Sequence, residues 1–148
     1  MSSLGDPAHR AIGGDLDPYA TMLAWVAVTL AALGYLDQAQ LRVNDVLSEA
    51  RRLSHAQTLA DVLSCAMWVE LMTRSPEVQQ HAEELMALST EHGFAWYLGH
   101  ATVIRGLLLT ARGQAREGLS LLTEGLTVKQ ISNLLQETDA KPTRGFPG

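Results

Sequence analysis

The chain has 148 residues, 47% hydrophobic and 18% charged, with sixteen acids against eleven bases for a net charge of −5. That length suits one domain with an adequate core. The apolar content excludes a wholly disordered chain, and the acidic balance argues against a protein made to hold nucleic acid or an anionic membrane. A single cysteine excludes an internal disulfide and a cysteine-rich zinc site.

Residues 1–16 show no basic flank followed by an apolar run, so no secretory signal is read there. Their glycines and serines predict a mobile lead-in. Pro18 to Leu36 carries no charge over nineteen residues, near the length of a membrane span. It is flanked by Asp17 and Asp37, however, with no Lys or Arg to orient it. A helix buried in a protein core reads the same way, and a soluble, cytoplasmic protein is expected.

Leu and Ala dominate, no stretch alternates with a period of two, and no proline falls between Pro18 and Pro76 or between Pro76 and Pro142. These features predict an all-α chain. Asp17-Pro18 supplies a cap and a first-turn proline for a helix ending at Gly34. A second helix runs from about Asp37 to Leu53, with a stripe of Ala39, Val43, Val46, Leu47 and Ala50. Ser54 and Gln57 stand at capping-box spacing and open a third, to about Thr73. Ser75-Pro76-Glu77 opens a fourth, ending at Gly93, with a stripe of Val78, Ala82, Leu85 and Leu88. A fifth, strongly apolar helix covers Phe94 to Ala111 and stops at Gly113. The sixth begins near Gln114 and carries Leu119, Leu122 and Leu126. From Gln136 to Gly148 two prolines, two glycines and mixed charge predict a disordered tail, leaving 17–135 as the folded domain.

The odd helices are apolar almost all round and the even ones have one apolar stripe. The turns at Gly34, Arg74-Ser75 and Gly113 recur roughly every forty residues, the mark of helical-hairpin repeats. Three stacked hairpins would shelter the odd helices on both sides.

No constellation for catalysis, cofactor or metal binding emerges. Glu77, His81 and Glu84 share a helix face but lack a zinc helix's second histidine, and a solvated face is expected. His92 reads as a helix C-terminal residue and Cys65 as an inert buried thiol. Gly13-Gly14-Asp15 lacks the preceding strand of a phosphate loop. Trp25, Trp68 and Trp96, on successive odd helices, read as core fillers or as a groove lining.

The hairpins resemble tetratricopeptide repeats: Gly34 with Ala39 and Gly113 with Gly118 keep that motif's spacing, whereas Arg74 replaces the middle glycine and the period is longer. Asp17-Pro18, Leu33-Gly34-Tyr35 with Asp37-Gln38-Ala39, Glu91-His92-Gly93-Phe94 and Gly113-Gln114-Ala115 carry a narrower likeness. Over roughly residues 13–126 the chain resembles the C-terminal repeat arm of bacterial signalling proteins that join a class III adenylate or guanylate cyclase to a switch ATPase. Neither the cyclase domain nor a GxxxxGK[ST] loop is present, so the parent's catalysis is not implied.

The resemblance implies a short α-solenoid whose concave surface is one face of each odd helix. Alignment on the turns places there Thr21 and Val28, then Asp61, Ser64 and Trp68, then His100, Val103 and Leu107. Asp61, Trp68 and His100 are the expected contacts for a protein or peptide. A non-enzymatic interaction module is the resulting expectation, with self-association through an uncapped end. A regulatory arm acting in trans on a cyclase or switch ATPase, or a degenerate fragment of one, is the alternative.

Overall fold

The computed structural model describes residues 17–144, with side chains through Glu137. It is all-helical over that range: α1 (Pro18–Ala32), α2 (Leu36–Leu53), α3 (Ala56–Thr73), α4 (Glu77–His92), α5 (Ala95–Ala111) and α6 (Ala115–Arg144). The lead-in expected over 1–16 and the last four residues of the tail lie outside the described residues.

Local chemistry accounts for the boundaries. Asp17 caps α1, its Oδ1 accepting from the N–H groups of Tyr19 (3.1 Å) and Ala20 (3.0 Å). Gly34, Gly93 and Gly113 take left-handed conformations at the turns; so do Ser54 (φ 54°) and Arg74 (φ 60°), which pay for their side chains there. Ser54 therefore ends α2 rather than opening α3, because a left-handed residue cannot also take the extended conformation of an N-cap. His55 caps α3 instead, its Nδ1 accepting from the Thr58 N–H at 3.3 Å. The Thr58 hydroxyl lies 2.6 Å from that nitrogen and accepts from the Asp17 N–H at 2.9 Å, tying the starts of α1 and α3 together.

Each helix packs on the next; α1 also packs on α3, and α3 on α5. Leu63, Met67, Leu85 and Ile104 are fully buried at the centre. The burial pattern repeats: Ala39, Val43, Val46 and Ala50 of α2 correspond, 39 residues on, to Val78, Ala82, Leu85 and Ser89 of α4.

Three expectations are corrected. First, α1 is not sheltered on both sides. It buries Ala20, Ala24, Ala27 and Ala31 while Met22, Trp25 and Leu33 are more than half exposed, since no described element precedes it. Second, α6 packs one residue out of the expected phase. Gly118, Gly125 and Ser132 face α5, leaving Leu119 and Leu126 exposed. The cause is close backbone contact. Gly99 and Gly106 on α5, like Gly118 and Gly125 on α6, are seven residues apart, and the pairs oppose each other antiparallel. A methyl group on Gly99 would lie 2.8 Å from the Gly125 carbonyl oxygen, and one on Gly125 would lie 2.7 Å from that of Gly99. Third, α6 continues as helix to Arg144, through the start of the expected tail.

Candidate functional site

Of the three expected contact residues, Trp68 and His100 meet where α3, α5 and α6 converge, although not as equally open side chains, and Asp61 stands apart from them. Trp68, 38% exposed, turns its ring edge to His100, with centroids 5.6 Å apart at 66°. His100 is only 3% exposed and stacks on Trp96 at 5.5 Å and 10°. Lys129 of α6 closes the cluster: its Nζ sits 4.4 Å from the Trp96 ring centre and donates to His100 Nδ1 at 3.4 Å. His100 thus backs the two tryptophans rather than facing a partner. The glycine contact places α6 close enough for Lys129 to cover it. Val103, also expected on the open surface, is buried against the same junction.

Asp61, half-buried, sits one α3 turn from Cys65. It accepts a hydrogen bond from the Tyr97 hydroxyl of α5 at 3.1 Å. On its other side stands Thr21 of α1; neither Asp61 Oδ2 nor Thr21 Oγ1 completes a well-formed hydrogen bond. Asp61 and Thr21 were placed on one face by alignment, and they do meet. Trp96 was read from the sequence only as a core filler or groove lining beside Trp68, and the roles of Tyr97 and Lys129 were not read; Lys129 lies on α6, which the repeat alignment did not assign to this face.

Burial governs the electrostatics. It raises the Asp61 carboxyl above its ordinary range, against the hydrogen bond from Tyr97 and the nearby Thr21 hydroxyl. It pushes the Cys65 thiol up to about 12, with the Asp61 charge adding to it. It lowers the His100 imidazole to about 4, helped by the Lys129 charge. The Lys129 ammonium is itself lowered by burial. The buried His100 Nε2 completes no well-formed hydrogen bond.

A second polar cluster corrects the reading of His81 as part of a solvated face. Its Nδ1 lies 2.8 Å from Oε2 of Glu70, a carboxylate buried on α3, and the partnership raises the imidazole above its ordinary value despite partial burial. Glu84, next along α4, pairs with Arg51 of α2, with Nη2 to Oε1 at 2.9 Å. A glutamate in the mostly apolar α3 needed a partner once buried, and that need was the signal that could have moved His81 off the solvated face.

A cleft of about 350 Å³ between α2 and the α3–α4 turn is lined by Asp37, Gln40, Asn44, Thr73, Ser75 and Glu77 among others. Its polar groups largely bond one another: the Thr73 hydroxyl donates to Gln40 Oε1 (3.0 Å), and Gln40 Nε2 to Asn44 Oδ1 (3.1 Å). Among the described residues no three His, Cys, Asp or Glu side chains are grouped to hold a metal ion. No helix of the described residues is long and apolar enough to cross a membrane. No protein-family model, curated protein or solved structure matches the chain.

Proposed function

We propose that this chain is a non-catalytic interaction module. It stacks three tetratricopeptide-like hairpins into a short solenoid and docks a protein or peptide along the inner face of α1, α3 and α5. The observation that carries the reading is the polar and aromatic row that crosses four helices, from Thr21 through Asp61 and Tyr97 to Trp68, His100, Trp96 and Lys129. A rigid aromatic edge beside fixed polar groups suits a peptide or helix, the aromatic surface supplying contact area and the polar groups direction. Burial pushes Asp61, Cys65 and His100 towards their uncharged forms, which favours a packed recognition surface over an activated nucleophile. The resemblance of the repeats to cyclase and switch-ATPase arms makes such a signalling assembly the first place to seek the partner.

A photo-crosslinking residue placed at Trp68, compared with one at the exposed Glu83 on α4, tests the reading in extracts of the producing organism. Capture of the same protein from position 68 and not from position 83 is the expected result. Equal capture from both positions, or none from 68, defeats it.

A further inference from the structure

We propose that a second copy of this chain docks head to tail, α1 of one copy seating on α5 and α6 of the next, with Leu33 against Leu119 and Val26 against Leu126. The proposal rests on the hairpin repetition and is independent of the Trp68 face.

The first end is the outer side of α1. Met22, Trp25, Val26, Thr29 and Leu33 form an uncharged stripe there, with Met22 57%, Trp25 55% and Leu33 67% exposed. The Thr29 hydroxyl donates to the Trp25 carbonyl at 3.0 Å, so the polar member of the stripe is satisfied within the helix. Forty residues on, the same positions of α3 are Val62, Cys65, Ala66, Val69 and Thr73. The first four of these are at most 3% exposed, because α3 packs on the preceding hairpin. The positions of Met22 and Trp25 recur again on α5 as Ala101 and Ile104, both 0% exposed. The stripe on α1 is therefore the face that seats a hairpin elsewhere in the molecule.

The second end is α6. At the inner junctions, Gln40 of α2 accepts from Thr73 of α3. At the matching place Gln79 of α4 accepts from Arg112 of α5, and one helical turn pair further along Met86 accepts from Arg105. The positions on α6 that correspond to Gln79 and Met86 are Leu119 and Leu126, 64% and 51% exposed. The positions on α1 that correspond to Arg112 and Arg105 are Leu33 and Val26. Repeating the inner geometry once more brings Leu33 to Leu119 and Val26 to Leu126. The α2–α3 junction carries apolar Leu47 and Ala66 at the positions of Met86 and Arg105, and at the two free ends both pairs are apolar and cannot meet within one copy. No charged residue lies between Asp17 and Asp37, so α1 adds no local repulsion between copies of a chain with net charge −5. Such a contact uses different surfaces on the two partners and propagates unless it closes into a ring.

Leu33→Lys and Leu119→Lys each block one end at an exposed position, and both variants are expected to keep the wild-type circular dichroism spectrum. In sedimentation velocity the wild-type chain is expected to form species larger than a dimer with rising concentration, and each variant alone to stay monomeric. Mixing the two variants is expected to restore one wild-type junction and stop at a dimer, because the remaining junction opposes two lysines. A wild-type chain that stays monomeric at sub-millimolar concentration overturns the proposal and leaves the α1 face to residues 1–16 or another protein. Self-pairing of Leu119→Lys through its intact α1 face points to a symmetric contact and overturns it as well.

Discussion

Gly118 of α6 lies so close to Gly106 of α5 that a methyl group on it would sit 2.7 Å from the Gly106 carbonyl oxygen and 2.2 Å from Thr110 Oγ1. Backbone blocks it, and backbone cannot move aside as a flexible side chain can. Gly118→Ala is therefore expected to cost about 3 kcal/mol, at the upper end for overpacking a tight contact. Gly113→Ala has open space around its Cβ and only the left-handed backbone to oppose it, a cost of about 1 kcal/mol. Urea denaturation of the two variants checks the order; equal costs would show that α6 can lift off α5 freely.

Arg74 holds φ 60° at the end of α3, where the other two odd helices are followed by Gly34 and Gly113. Its side chain is exposed. Arg74→Gly should raise stability by about 1 kcal/mol, the left-handed penalty relieved less the greater freedom of glycine in the unfolded chain. Thermal denaturation measures this; a lower Tm would mean that the arginine side chain contributes more than its backbone costs.

His81 and His100 give stability opposite pH dependences. His81, raised by Glu70, contributes stability that is fully present below its unfolded pKa of about 6.5 and is lost as pH rises through its higher folded value. His100 is lowered to about 4, so its contribution is present above about 6.5 and is lost as pH falls from there towards 4. Stability from this pair should peak near pH 6.5. His81→Gln should remove the loss on the alkaline side and leave the acid side unchanged. Proton NMR should show the His100 ring unprotonated at pH 5.5, and a midpoint above 6 would contradict its burial.

Cys65 is buried and its thiol is pushed up to about 12, so almost no thiolate exists at neutral pH. An aromatic disulfide reagent should leave the native chain unmodified and label it only at the rate of opening. Labelling should therefore accelerate in urea in step with loss of helix. Rapid labelling of the native state would place Cys65 at the surface.

His81→Leu offers a sharper test of the α3–α4 junction than any surface pair. It leaves the Glu70 carboxylate buried without its imidazole partner, an arrangement that costs about 3 kcal/mol. Exchanging both residues, Glu70→Leu with His81→Leu, should recover most of that loss.

Helix starts and stops were legible because their causes are local. An aspartate before a proline at Asp17-Pro18, or a glycine after an apolar run at Gly34, Gly93 and Gly113, fixes backbone conformation within a few residues. The stripes of α2 and α4 were legible for the same reason, since their period is a property of one helix. Ser54 misled because its spacing to Gln57 satisfied a local rule, while the conformation at Ser54 was taken by the end of the preceding helix.

The amino-acid order by itself determined that this chain is helical, where most of its helices begin and end, and which faces of α2 and α4 turn inward. Only the tertiary structure decided that Gly125 joins Gly118 against α5 while Leu119 and Leu126 stay exposed, that Glu70 meets His81, and that Trp68, His100, Trp96 and Lys129 gather in one place. Those outcomes depend on how closely two backbones approach. That distance is set jointly by residues far apart in the chain, and the periodicity of a single helix does not contain it.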